Sequence, residues 1–161
     1  MYEGRSAILM LGIIIVFASI MTCLFGYFIS THFDDTDKYN VSREYDVTGT
    51  VTESAIVYDC TGSGESRYIN ESGSSRIYVF TFDISYSESS KKSLEFHLFC
   101  DNSGVPLKSM YDKVSEDEGT SVWKYVADDG LTYLFTIGEY CKVSLMEITG
   151  DGLSLKATLK E

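Results

Sequence analysis

Glu95 and His97 are the pair of residues in this chain whose types and spacing best suit acid–base chemistry. Side chains two positions apart on a β-strand project from the same face, so the Glu95 carboxylate would orient the His97 imidazole towards a serine on a neighbouring strand. The same spacing is typical of a polar, solvent-exposed strand face. The sequence contains no G-x-S-x-G elbow, phosphate-binding glycine loop or H-E-x-x-H motif. We therefore expect no enzymatic activity and assign no catalytic residue; a membrane-anchored hydrolase that uses His97 is the less favoured alternative.

Residue types that bind metals are sparse. The chain has two histidines, His32 and His97, and no C-x-x-C pair, so a zinc site is not indicated. The aspartates of segment 34–37 lack the spacing of a calcium-binding loop and are typical of a solvated linker. We therefore expect neither a metal ion nor an organic cofactor.

The cysteines bear on the redox environment of the chain. Cys60, Cys100 and Cys141 fall in the polar part of the sequence, whereas Cys23 falls in an apolar segment near the start. In an oxidising compartment the three would give one disulfide and one leftover thiol, with Cys60 paired either to Cys100 or to Cys141. Reduced, buried thiols are the alternative.

Two further patterns concern the surface of the domain. Asn40 and Asn70 each begin an N-x-S glycosylation signal in a predicted loop. Trp123 and Tyr125 share one face of a predicted strand, where they would form an aromatic binding surface or pack in the core.

The elements that hold these residues begin with an apolar segment. Residues 7–29 contain no charged side chain, and about 20 such residues cross a bilayer core as a helix. The segment is longer than the apolar core of a cleavable signal peptide, so we predict a transmembrane signal-anchor helix over 7–30. Arg5 precedes the helix and aspartates follow it, which predicts a cytoplasmic N-terminus at 1–6 and an extracytoplasmic C-terminal part.

The remainder of the chain predicts one β-rich domain. Residues 31–44 are polar and aperiodic, as in a stalk, and alternation of apolar and polar residues then recurs throughout 45–161. Segments 60–66 and 70–75 are predicted loops, and segments 76–87 and 94–100 a hairpin. Segment 103–119 is a predicted helix, because Pro106 suits a first turn and apolar residues follow at helical spacing. The fold expected is an antiparallel barrel or sandwich with this one inserted helix.

Composition narrows the class of partner. The formal net charge of −11 opposes binding to phosphate backbones, so nucleic acid is excluded as a partner. We expect a single-pass protein of the cell surface or envelope that contacts membrane lipid through 7–30 and has a binding or structural role towards a protein partner. The alternative is a pilin-like or other membrane-complex subunit that self-associates through its N-terminal helix.

Overall fold

The computed structural model describes residues 19–23, 38–69, 75–87 and 90–161. Residues 19–23 are helical, and the rest of the predicted membrane segment lies outside the described residues. Within the described parts, no helix has both the length and the apolar character needed to cross a bilayer. Residues 39–161 form a compact unit of their own, so this unit includes the last six residues of the segment predicted as a stalk.

The compact unit is built on one antiparallel sheet of nine strands. The strands lie in the order β4-β3-β2-β1-β9-β8-β7-β6-β5, so the chain runs outwards from β1 to β4, crosses to the far edge and returns from β5 to β9. A short 3-10 helix, Glu139–Cys141, separates β7 from β8. The strands are β1 (Arg43–Glu53), β2 (Ile56–Ile69), β3 (Ser75–Ser85), β4 (Lys91–Asp101), β5 (Asp112–Asp117), β6 (Thr120–Val126), β7 (Thr132–Ile137), β8 (Val143–Gly150) and β9 (Leu153–Leu159).

The hairpin of β3 and β4 confirms the alternation seen in the sequence. Even-numbered residues of both strands face the interior, with Phe80 and Phe82 on β3 and Phe96 and Leu98 on β4 all buried. Polar residues occupy most positions of the opposite face of β4. The period of two therefore placed this hairpin and its buried face correctly.

The loop predicted over residues 60–66 is wrong, because these residues lie in the middle of β2. The inward-facing positions there carry small side chains, which lack the apolar alternation of a typical strand. Their size has a packing reason: a Cβ added to Gly64 would lie 2.5 Å from the Phe82 ring and 3.2 Å from Cβ of Tyr45. Large aromatic side chains of the neighbouring strands fill the space that β2 leaves.

The helix predicted over residues 103–119 is also wrong. A single helical turn forms, in which Tyr111 N–H donates to Leu107 C=O at 3.0 Å, and the chain then extends into β5. Before that turn, the Asp101 carboxylate accepts hydrogen bonds from Ser103 and Val105 N–H, which ties the backbone in a loop. The predicted helix face consisted of Leu107, Met110, Tyr111 and Val114, and only Tyr111 among these four is buried.

The sheet curls into a half-barrel, so that β4 faces β6 and β7 across the interior. Phe96 of β4 stacks on Tyr133 of β7, with 4.6 Å between ring centroids, and lies 5.6 Å from Phe135. The core therefore lies inside one curled sheet, and β4 and β5 are its two open edges.

Candidate binding site

A cleft opens where the two ends of the curled sheet meet, and we call it the seam cleft. One wall is β4, the other is the hairpin of β6 and β7, and the volume is about 330 Å³. The lining includes Glu95, His97, Tyr111, Tyr125, Asp129 and Tyr133.

Tyr111 closes part of the seam with its hydroxyl group. The hydroxyl donates to His97 C=O at 2.8 Å and accepts from Phe99 N–H at 3.0 Å. Both backbone groups point away from β3, in the direction where a further strand would lie. Burial raises the pKa of Tyr111 to about 12, against the opposing effect of the Phe99 N–H. One side chain thus takes the place of a strand partner.

The outer edge of β4 is open on the N-terminal side of the contact with Tyr111. On the C-terminal side, the following loop covers the edge: Leu107 N–H donates to Phe99 C=O, and Val105 C=O accepts from Asp101 N–H. By the alternation of an antiparallel ladder, the N–H and C=O groups of Ser93 and Glu95 point to the same outer side. No strand among the described residues pairs with them there. The open backbone lies directly beside the seam cleft.

Glu95 and His97 lie on the outer face of β4 as a contacting pair. The Glu95 Oε1 to His97 Nε2 distance is 2.7 Å, and both side chains are well exposed to solvent. None of the residues that line the seam cleft is Ser, Thr or Cys. The geometry therefore provides an imidazole with an orienting carboxylate and, among the lining residues, no serine, threonine or cysteine nucleophile.

The wall opposite β4 is aromatic and carries one carboxylate. The Tyr125 and Tyr133 rings lie 6.2 Å apart, and Tyr125 lies 5.6 Å from the Tyr111 ring. Burial, and secondarily the charge of Asp129, raises the pKa of Tyr133. Asp129 is held by the turn, where its carboxylate accepts from Leu131 N–H at 3.0 Å. The wall offers flat apolar rings, hydroxyl groups and negative charge.

The structure separates the two residues of the predicted aromatic surface. Trp123 is 1% exposed, and its indole N–H donates to Ser121 Oγ at 2.7 Å. Tyr125 is half-buried and lines the seam cleft. Tyr111, Tyr133 and Asp129 belong to the same cleft but were not singled out from sequence, because only the curl of the sheet brings β4, β6 and β7 together.

Cys60, Cys100 and Cys141 lie at two different levels of the β domain, and all four cysteines are free thiols in the structure. Cys100 and Cys141 are both buried, and the Cys141 thiol donates to Gly104 C=O at 3.4 Å, in the loop that follows Cys100. Cys60 adjoins Thr61, which is opposite Ser85, whereas Cys100 is opposite Arg76. Arg76 and Ser85 are nine residue steps apart on β3, so the two levels are separated by about 30 Å at the usual rise per residue. This separation rules out both bridges expected for Cys60, because a disulfide needs Cα atoms within about 7 Å.

The remaining predicted sites are peripheral or outside the described residues. Asn40 is exposed just before β1, whereas Asn70 lies outside the described residues, as does His32. The described part of the chain contains no cluster of His, Cys, Asp or Glu side chains that would hold a metal ion.

Comparisons with known proteins do not identify a family for this chain. No protein-family model, no curated protein and no solved structure matches the chain.

Proposed function

We propose that this chain is a single-pass membrane protein whose β domain lies outside the cytoplasm and binds an extended segment of a protein partner. The uncharged apolar segment 7–29, with Arg5 before it, supports the tether and its orientation. A tether confines the domain to a thin layer beside the membrane, which raises its encounter rate with other membrane-held proteins.

The open edge of β4 beside the seam cleft is the observation that carries the binding role. An extended polypeptide laid along this edge would pair with the backbone groups of Ser93 and Glu95. Alternate side chains of the added strand would then enter the seam cleft and contact Tyr125 and Tyr133. Tyrosine suits such contacts because its ring is apolar and its tip is polar.

Charge indicates the chemistry of the bound segment. Glu95 and Asp129 stand at the seam cleft, and the chain as a whole has a net charge of −11. Electrostatic complementarity favours a partner segment that carries lysine or arginine, because the negative charge of the domain attracts such a segment before the two surfaces touch.

Photo-crosslinking in native membranes tests the binding role. A photoreactive residue placed at Met110, which is exposed and lines the seam cleft, is expected to capture an extended segment of one partner. The same residue placed at Lys156, which is exposed on β9, is the control and should not capture it. Equal capture from both positions, or none from Met110, would contradict the proposal.

A pair of substitutions at Glu95 separates backbone pairing from side-chain contact. Glu95→Pro removes the outward N–H and should abolish crosslinking from Met110, since proline is tolerated on an edge strand but cannot donate to an added strand. Glu95→Ala removes the carboxylate and keeps the N–H, so we expect weaker but detectable crosslinking. Crosslinking from Met110 that is as strong in Glu95→Pro as in Glu95→Ala would show that the edge is not used as a strand partner.

Self-assembly is the second candidate, and the other open edge favours it. All residues of β5 are exposed, and the described residues pair with β5 only through β6. The β5 edge of one copy could pair with the β4 edge of another, a head-to-tail contact that extends into a filament unless it closes. Crosslinks that join Met110 of one copy to β5 of a second copy would favour self-assembly over binding to a different protein.

The tether and its orientation need their own test. Full-length protein should stay with the membrane fraction after alkaline carbonate washing, and its release would refute the tether. Single cysteines engineered at Ser6 or Ser63, in a background without the native thiols, should react with an impermeant maleimide on intact cells only at Ser63. Labelling only at Ser6 would reverse the orientation.

A further inference from the structure

Cys100 and Cys141 bring two buried thiols together from distant parts of the chain. Cys100 lies near the end of β4 and is 0% exposed, and Cys141 ends the 3-10 helix and is 1% exposed. The Cys141 thiol lies 3.4 Å from Gly104 C=O, and Gly104 belongs to the loop that directly follows Cys100, where its N–H donates to Asp101 C=O. Proximity of this kind between thiols on separate elements is the geometric requirement for a crosslink.

The backbone on both sides of Cys141 is shaped around its thiol. Tyr140 and Cys141 both have φ of 55°, a left-handed conformation that residues with side chains rarely adopt, and it marks local strain. On the facing loop, Gly104 C=O lies 3.4 Å from Cys141 Sγ. A Cβ added at Gly104 would lie 3.1 Å from the same sulfur, so the glycine leaves space for the thiol.

A cationic group adjoins the two thiols. Arg76 is opposite Cys100 in the β3–β4 register, and its guanidinium carbon lies 3.4 Å from the Tyr39 ring centroid. The hydrogen bond with Cys100 holds the pKa of Cys141 below its usual value, with help from the charge of Arg76. The same hydrogen bond, together with burial, raises the pKa of Cys100. Cys141 is therefore the thiol with the greater thiolate character, which is the reactive form.

We propose that Cys100 and Cys141 form an intramolecular disulfide when the domain meets a disulfide oxidant such as oxidised glutathione. Because Cys141 is buried, the oxidant reaches it only when the strained turn at Tyr140 and Cys141 opens locally. The Cys141 thiolate then attacks one sulfur of the oxidant, forms a mixed disulfide and releases one glutathione. The Cys100 sulfur then attacks the Cys141 sulfur and releases the second glutathione. The two thiol protons end on the two released glutathione thiols, and the two electrons given up by the protein sulfurs reduce the oxidant.

The disulfide would join β4, at one edge of the sheet, to the segment between β7 and β8, in the opposite half of the sheet. The inference stands apart from the proposed binding role, because it depends on the two sulfur atoms and not on the edge of β4. An oxidising compartment would supply the oxidant in the cell, and purified protein with added glutathione supplies it in the test.

Full-length protein in detergent, reduced and then equilibrated with oxidised glutathione, tests the inference. Acid quenching, alkylation under denaturing conditions and peptide mass mapping should show a Cys100–Cys141 crosslink, loss of two alkylatable thiols and no retained glutathione. Oxidation should also raise Tm by about 10 °C, because the bond closes a long loop in the unfolded chain.

Cys60→Ser is the matched control and should form the same crosslink as the parent protein. A stable mixed glutathione disulfide at Cys141, a crosslink to Cys60, or four alkylatable thiols after oxidation would each overturn the inference. Because mapping is done on the parent protein, the result does not depend on whether Cys100→Ser or Cys141→Ser folds.

Discussion

At the scale of single residues, Tyr111 determines how the seam is closed. A hydroxyl group both donates and accepts, so one tyrosine satisfies the His97 C=O and the Phe99 N–H that an adjacent strand would otherwise pair. The ring of the same residue packs at 5.7 Å against Phe135 in the core. Tyr111 therefore joins the core to the edge of β4 and limits how far along β4 the open edge extends.

Tyr111→Phe tests this role, because it keeps the ring and removes the hydroxyl. Loss of the hydroxyl leaves two partly buried backbone groups unpaired, which we expect to lower the free energy of unfolding by about 1–3 kcal/mol. Urea unfolding of the full chain in detergent measures the change through the fluorescence of Trp123, the single tryptophan, which is buried.

Tyr125→Phe is the matched control in the same cleft. Its hydroxyl makes no hydrogen bond within the described part of the chain, so we expect a change within about 0.5 kcal/mol. Equal losses in both variants would show that the Tyr111 hydroxyl does not stabilise the edge of β4.

At the scale of elements, side-chain size decided which strands the sequence could predict. Most inner positions of β3 and β4 carry large apolar residues, so the sequence alone showed their alternation. The inner face of β2 carries Cys60, Gly62, Gly64 and Ser66, which resemble a loop until the aromatic rings of β1 and β3 are placed over them. Predicting β2 as a strand requires knowledge of the residues opposite it on β1 and β3, and the local sequence does not give this information.

Strand β5 and the seam cleft were missed for a different physical reason. Both faces of β5 are exposed, so the strand has no alternation to detect. Glu95, His97 and Tyr125 were recognised individually, but Tyr111 was assigned to a helix face. The cleft they form depends on the sheet curling until β4 meets β6 and β7, which is a property of the whole sheet.

Gly64→Ala tests the packing of β2. The added methyl group would lie 2.5 Å from Cδ1 of the buried Phe82 ring, so the aromatic layer must shift. We expect a loss of about 1–3 kcal/mol in the free energy of unfolding, measured by urea titration. Ser63→Ala, at the adjacent exposed position of β2, is the control and should change stability by no more than about 0.5 kcal/mol. A tolerated Gly64→Ala would mean that the small inner face of β2 is not a packing requirement.

At the scale of the whole domain, one curled sheet has to supply the entire core. Because helices are almost absent from the described residues, strands supply most of the interior, and tyrosine contributes a large share of it. Tyr45, Tyr78, Tyr111 and Tyr133 are all buried. Tyr45 and Tyr78 still satisfy their hydroxyls, which donate to Val143 C=O at 3.0 Å and to Tyr39 C=O at 3.2 Å.

These buried tyrosines predict that alkaline pH unfolds the domain. Burial raises the pKa of Tyr45, Tyr78 and Tyr133, and raises that of Tyr111 to about 12, whereas the same groups in the unfolded chain titrate near pH 10. Above about pH 10 the unfolded state therefore releases protons that the folded state retains, so the free energy of unfolding falls as pH rises. The stabilisation is fully present below about pH 10 and disappears as pH passes through the folded-state values.

Urea titrations followed by circular dichroism between about pH 9 and pH 12 should show this decline, and Tyr111→Phe should show a shallower one because it removes one of the titrating groups. Constant stability across that range would mean that the phenols ionise as readily in the folded domain as in the unfolded chain. An equal slope in the parent protein and in Tyr111→Phe would exclude Tyr111 as a contributor. Either result would contradict a core in which neutral tyrosines, held between the ends of one curled sheet, keep the seam of the domain closed.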